Sequence, residues 1–308
     1  MSLKYAIIGT GAIGGYYGAT LAHGGKDVHF LFHSDYDYVK ENGFQVDSVN
    51  GNFHLDKVNA YNSTKDMPQC DVVFVCLKST NNGLLKDMLP PLLHKDTLVV
   101  MIQNGIGVED DLQKLFPNLS IAAGLAFICT GKVGKGHIHH QFFGKLTIAP
   151  YSFKNTALID NIVSDFTEVG MTAVIANYAE ARWKKAVWNI PFNGLTVALN
   201  TTTNNILSNP ATERLAYDMM IETIRAANAV GVERAIPESF ADDMIASTKI
   251  MPPYSPSMKL DFDFHRPLEI NYIYSRPIEE AQKAGYSMSK VAMLEAELKF
   301  IQATYLQK

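Results

Sequence analysis

Tyr5-Ala6-Ile7-Ile8 runs straight into Gly9-Thr10-Gly11-Ala12-Ile13-Gly14, and this junction limits the fold more than any other stretch of the chain. Four apolar residues in a row read as a parallel strand buried on both faces. A helical pattern follows to about His23, Gly24-Gly25 stops it as an αL C-cap does, and Val28 to Phe32 is a second apolar strand. Strand, Gly-x-Gly-x-x-Gly, helix and strand within about thirty residues is the context that a dinucleotide-binding turn requires. Gly9 allows the tight turn, Gly11 lets the backbone approach a pyrophosphate, and Gly14 lets the helix pack on the strand. The amides of this loop, those of Ala12 and Ile13 included, and the helix N-terminus then hold the anion. A turn with a purely structural purpose is the competing reading, and the flanking elements disfavour it.

The tip of the second strand reports on the dinucleotide. An acid there takes the ribose 2′-OH, whereas a cation accepts a 2′-phosphate. The residues are Leu31-Phe32-His33-Ser34-Asp35, with no acid at the tip itself. His33 and Ser34 can donate to a phosphate, Lys40 is within reach, and Asp35 keeps NAD open; the reading leans to NADP.

Further along, Lys40 to Tyr61 reads as a helix end and a hairpin, with Asn50-Gly51 as a type I′ turn. Asp71 to Leu77 is a buried strand ending in Lys78-Ser79, and Thr97 to Ile102 is another, ending in Gln103-Asn104-Gly105. Ligands of open α/β sheets gather at the carboxyl ends of strands, which puts Lys78 and Asn104 at that rim. A turn or N-cap role is the plain alternative for Asn104. Ile121–Ile128, Gly136–Gln141 and Leu146–Ala149 read as strands added antiparallel, Asn155–Glu168 as a helix, and Thr172–Ile175 as a last strand. The first domain is therefore a doubly wound α/β unit over residues 1–176.

From residue 177 to 308 the patterns are helical, at about 178–199, 210–230, 237–249, 267–284 and 289–306, so the second domain is all-α. Its first helix carries Glu180-Ala181-Arg182-Trp183-Lys184-Lys185-Ala186-Val187-Trp188-Asn189-Ile190-Pro191-Phe192-Asn193. Lys185, Asn189 and Asn193 recur every four residues and so share a face. A cation and two amides among apolar residues are costly to bury without polar partners. The stripe is either a solvated face or the wall of a site. Pro191 lacks a backbone donor and should kink or interrupt the helix near Val187 to Ile190. In Arg266-Pro267-Leu268-Glu269, Pro267 suits a helical first turn, and Glu269 in that turn meets the positive end of the helix dipole. That is a sufficient structural reason for Glu269.

Composition narrows the function. The chain has 308 residues, 47% hydrophobic and 19% charged, with a formal net charge of -4. This suits two globular domains and argues against a nucleic-acid partner, which calls for a basic surface. Cys70, Cys76 and Cys129 cannot all pair and show no metal-ligand spacing, so a reducing, cytoplasmic compartment is expected and no metal. Cys76, within an apolar run, is read as a buried thiol. His137, His139 and His140, alternating along a strand, are read as surface residues. No signal peptide is expected after Met1. No run of about eighteen apolar residues occurs, so no membrane partner is expected either.

Together these pieces resemble the ketopantoate reductase family along nearly the whole chain. The resemblance rests on the Gly9–Gly14 loop, Lys78-Ser79, Gln103-Asn104-Gly105, Trp183-x-Lys185-x-x-x-Asn189-x-x-x-Asn193, and Ser257-Met258-x-x-Asp261 leading to Arg266-Pro-x-Glu269-Ile. It implies a Rossmann domain, an all-helical second domain, a site in the cleft, and reduction of 2-dehydropantoate to (R)-pantoate with NADPH on the route to pantothenate and coenzyme A. By the same resemblance Lys185 is the catalytic lysine and Glu269 binds the substrate hydroxyl and tunes Lys185. Asn104 lies near the nicotinamide and the carbonyl, Asn189, Asn193 and Ser257 hold the substrate, and Lys78 lines the cofactor side. Three departures stand out: His33 where an Arg is common, Thr203 where a substrate-binding Asn aligns, and Ser275 for a Gly. A reductase of another 2-keto acid, a related β-hydroxyacid dehydrogenase and a non-catalytic dinucleotide-binding protein are the alternatives. A small 2-keto acid is the expected partner, and a homodimer is open.

Overall fold

The computed structural model describes residues 2–153 and 156–306. The chain forms two compact units, one of Met1–Gln103 with Glu109–Tyr178, the other of Asn104–Val108 with Ala179–Lys308. In the first unit the Gly9–Gly14 loop joins β1 (Lys4–Ile8) to α1 (Ala12–His23), which leads to β2 (Asp27–Leu31). Then follow α2 (Tyr36–Asn42), β3 (Phe44–Ser48), β4 (Phe53–Leu55), β5 (Asn59–Tyr61), β6 (Val72–Val75), α3 (Leu85–Met88) and β7 (Leu98–Met101). After α4 (Val108–Leu115) come β8 (Ser120–Gly134), β9 (His137–Pro150), α5 (Thr156–Glu168) and β10 (Ala173–Ile175).

These strands form one sheet in the order β4-β3-β9-β8-β7-β6-β1-β2-β5, with β10 on β9. From β5 across to β8 every pairing is parallel. The strands β6 and β7 are apolar throughout, β1 is so after Lys4, and their core residues are fully buried, as in a parallel sheet covered on both faces. Several expectations need correction here. β8 extends the parallel set and only its pairing with β9 is antiparallel. The stretches expected as separate strands at 136–141 and 146–149 are one strand, which absorbs the left-handed Phe143 (φ 62°) and Gly144 (φ 129°) as irregularities in its pairing with β8. Gly51 sits at the last position of a turn closed by its amide on the Ser48 carbonyl, 2.9 Å. Asn50 has a negative φ, so the turn is not type I′. His140 is buried rather than on the surface. Its Nε2 lies 3.0 Å from the Phe143 carbonyl, which only accepts, so Nε2 carries the proton and Nδ1 accepts from Ser48 Oγ at 2.8 Å. Cys76 is half-buried, one residue past β6. The expected start of α5 at Asn155 lies outside the described residues.

The second unit is built on α6 (Tyr178–Ala198), followed by α7 (Thr203–Ser208), α8 (Pro210–Val230), α9 (Ser239–Lys249), α10 (Ser257–Asp263), α11 (Arg276–Lys283) and α12 (Ser289–Leu306). From Ala186 to Val197 every residue of α6 is buried, so this helix is the core of its unit rather than an amphipathic cover. Its Trp188 ring lies 5.0 Å from Phe192 and donates Nε1–H to Thr248 Oγ1 at 2.9 Å. Asn209 caps α8 by accepting from the Ala211 amide at 2.9 Å, and Pro210 fills the first turn. Pro191 does not interrupt α6, which stays helical through it. The short helices α7 and α10 lack enough sequence period to be seen in advance. Pro267 is not in a helical turn. The helix begins only at Ile270, runs through a π-helical turn at Asn271–Ser275, and continues as α11.

Candidate active site

The loop after β1 has the geometry its glycines require. Gly9 has φ +94°, and a Cβ there would meet the Leu77 amide nitrogen at 2.7 Å. At Gly14 a Cβ would fall 2.4 Å from the Gly9 carbonyl oxygen and 2.8 Å from Ile7, so helix and strand touch there. A Cβ at Gly11 would meet nothing within 4 Å. Gly11 is the N-cap of α1, and no side chain caps that end. The first amides of α1, those of Ala12 and Ile13 among them, thus open on a free approach, the arrangement an anionic pyrophosphate needs.

Two strand tips complete this rim. Lys78 is half-buried, three residues past β6. The Gln103 amide, past the end of β7, donates to the Leu77 carbonyl at 2.8 Å and to Asn82 Oδ1 at 2.7 Å. Gln103 is thereby the strut that sets the Lys78 loop, a role its place in the sequence does not announce. At the tip of β2, His33 and Ser34 are exposed, while Asp35 is buried. The Asp35 carboxylate accepts from Lys132 Nζ at 2.7 Å, from the Gly136 amide at 3.0 Å and from Ser34 Oγ at 3.1 Å. Burial opposes its ionisation, but the Gly136 amide and the Lys132 ammonium outweigh that and hold its carboxyl below the usual range.

The second unit gathers the other predicted residues. Lys185, on α6, is half-buried, and Asn189 and Asn193 are buried, which excludes the solvated-face reading. Burial pulls the Lys185 ammonium down to about 7, the Arg182 guanidinium three residues earlier pushes the same way, and Glu269 opposes both. Arg182, buried at 2% exposure, was not singled out from the sequence, although its spacing of three from Lys185 puts it on the same face. Glu269 is buried at 3% exposure. Its carbonyl accepts from the Ile273 amide at 3.2 Å, so it stands at the N-terminus of the helix rather than within its first turn.

Asn193 is structurally engaged. Its Nδ2 donates to the Asn189 carbonyl at 3.1 Å and its Oδ1 accepts from the Met258 amide at 3.1 Å. It thus caps the first turn of α10, whose opening residue is Ser257. Asn104 follows β7 in the chain, yet its segment packs in the helical unit. The Ile106 amide donates to the Tyr272 carbonyl at 2.8 Å, and a Cβ on Gly105 (φ +97°) would lie 2.4 Å from that oxygen. Only glycine allows this approach, which brings Asn104 into the same unit as Glu269. Of the departures, Ser275 donates to Glu295 on α12, and Thr203 opens α7 with its amide on the Tyr254 carbonyl at 3.0 Å. Both have structural uses. Among the described residues no cluster of His, Cys, Asp or Glu could hold a metal ion, and no helix is long and apolar enough to cross a membrane.

Comparison with known proteins fits this arrangement. Residues 5–152 match the family described as ketopantoate reductase PanE/ApbA, and residues 177–302 its C-terminal counterpart. A 2-dehydropantoate 2-reductase of Nostoc sp. is 43% identical over 304 residues, 97% of this chain and 95% of the relative. A crystal structure of 2-dehydropantoate 2-reductase from Geobacter metallireducens superposes with a TM-score of 0.93 at 36% identity, covering 96% of this chain and 99% of that one. A D-mandelate dehydrogenase solved with NADH and anilino(oxo)acetate shares the fold, with a TM-score of 0.85 at 23% identity over 99% of this chain and 100% of that one.

Proposed function

The chain belongs to the ketopantoate reductase family, an oxidoreductase family, and on that premise we propose that it reduces 2-dehydropantoate to (R)-pantoate with NADPH. The observation that carries the reading is the placing of Lys185, Asn189 and Asn193 on the buried helix α6, with the buried Glu269 within electrostatic reach of Lys185. A lysine near 7 is about half protonated at neutral pH and releases its proton readily, which suits a general acid. Lys185 Nζ hydrogen-bonds the ketone oxygen and gives it a proton as the carbonyl carbon gains hydride, so that the ketone becomes a secondary alcohol. Glu269 accepts from the substrate hydroxyl and keeps Lys185 protonated. Asn189 and Ser257 hold the carboxylate and hydroxyl of the substrate, Asn193 sets the Ser257 turn through Met258, and Asn104 stands by the reacting carbonyl.

The dinucleotide, when bound, supplies the hydride. The open approach at Gly11 and the uncapped amides of Ala12 and Ile13 fit its pyrophosphate. Lys78 lines that side. With Asp35 engaged by Lys132, Gly136 and Ser34, the exposed His33 is the donor left at this tip for a 2′-phosphate, which favours NADP over NAD.

The test is oxidation of NADPH and of NADH in the presence of ketopantoate, by the wild type and by Lys185→Ala. We expect at least about a 10²-fold loss in the variant. Wild-type turnover no faster than that of Lys185→Ala overturns the reading.

A further inference from the structure

The acid nearest the tip of β2 is held by a residue that the chain supplies almost a hundred positions later. Lys132 lies near the end of β8, where the pairing with β9 slips between Lys132 and Gly134. That slip belongs to the β8–β9 turn, which places two donors on Asp35: the Lys132 ammonium, 2.7 Å from each carboxylate oxygen, and the Gly136 amide on Oδ2. Ser34 Oγ takes a third share, on Oδ1. The Asp35 side chain is 5% exposed, whereas Lys132 keeps 35% of its side chain open to solvent. A free carboxylate two residues beyond His33 would accept ribose hydroxyls and repel a 2′-phosphate. Asp35 is turned away from both tasks.

We propose that Lys132 is a specificity-determining residue for the dinucleotide: by holding Asp35 under the β8–β9 turn it keeps a carboxylate out of the adenosine ribose site and leaves the exposed His33 to meet a 2′-phosphate. The inference rests on the reading of NADP as the cofactor and deepens it. Lys132 does not touch the reacting atoms. Its effect is on which dinucleotide is held.

Fragment binding separates this from a structural role. Calorimetry is run with adenosine 2′,5′-bisphosphate and with 5′-AMP on the wild type, Lys132→Met, Asp35→Asn and the double variant, with thermal unfolding of each. The wild type is expected to prefer the bisphosphate. Lys132→Met is expected to lose about tenfold of that preference, because the released carboxylate faces the 2′-phosphate. Asp35→Asn is expected to keep the preference, and the double variant to regain it. A wild type without preference overturns the NADP reading and this inference together. A preferring wild type whose Lys132→Met variant weakens on both fragments equally overturns this inference alone. So does a double variant that regains nothing. Should Lys132→Met not fold, a tenfold loss of preference in Asp35→Asn overturns it by itself.

Discussion

The Tyr274 hydroxyl donates a 2.8 Å hydrogen bond to the carbonyl of Ile190, in the middle of α6. The same hydroxyl also accepts from the amide of Gly194, one turn further along α6. A side chain thus meets α6 at the carbonyl one residue before Pro191, whose missing donor removes the helix bond to the Val187 carbonyl. Gly194 is required there, since a Cβ would lie 2.5 Å from the Tyr274 oxygen. Tyr274 belongs to the π-helical turn that follows Glu269, so the contact ties the segment bearing Glu269 to the helix bearing Lys185.

Tyr274→Phe keeps the packing and removes the inserted hydroxyl. Two buried backbone groups of α6 lose their partner, at a cost of about 1–3 kcal/mol. Denaturant unfolding should show this loss, together with a fall in kcat greater than any change in affinity for the dinucleotide. A variant as stable and as active as the wild type would show that the insertion is incidental.

Gly11 and Gly14 should separate binding from folding. Gly11→Ala meets no atom in the protein, so the apoprotein should unfold within about 0.5 kcal/mol of the wild type. Its dinucleotide affinity should nevertheless drop, because the methyl group occupies the approach to the pyrophosphate. Gly14→Ala places a methyl 2.4 Å from the Gly9 carbonyl and should destabilise the apoprotein by about 1–3 kcal/mol. Titration with NADPH alongside thermal unfolding checks both.

The pH dependence follows from Lys185. Its ammonium is depressed from 10.5 to about 7. The proton-donating form therefore dominates below that pH and is lost above it. The rate of reduction should be level on the acid side and fall about tenfold per pH unit above about 7. Glu269 is the group that raises the Lys185 value, so Glu269→Gln should move the inflection to lower pH. An unmoved inflection in that variant would mean that another group titrates.

Asn193→Ala leaves the Met258 amide without its buried acceptor, at about 1–3 kcal/mol. Because that amide lies in the turn begun by Ser257, the variant should raise KM for the keto acid as well. Asn189→Ala should raise KM with a smaller change in stability. Equal stability losses in the two variants would contradict this division.

Much of the molecule was legible in its sequence. Local rules acted at the Gly9–Gly14 loop, where Gly9 takes a positive φ at the turn and Gly14 lets helix and strand touch, as their spacing implied. They also acted at Asn209-Pro210, which begins α8, and along α6, whose four-residue spacing put Lys185, Asn189 and Asn193 on one helix. These features are set by a few neighbouring residues and by the periods of helix and strand, so they survive without knowledge of the fold. Tertiary structure decided the rest. Glu269 lost its place inside a helical turn because the helix starts at Ile270, after the chain has packed. Asp35 was paired with Lys132, and Asn104 was drawn into the helical unit by the contacts of its neighbours with the Tyr272 carbonyl. Pro191 stayed inside α6, next to the Ile190 carbonyl that the Tyr274 hydroxyl meets. Each of these outcomes depends on a partner far away in the chain, and a buried charge or an unpaired backbone group takes whichever partner the packed chain brings within reach.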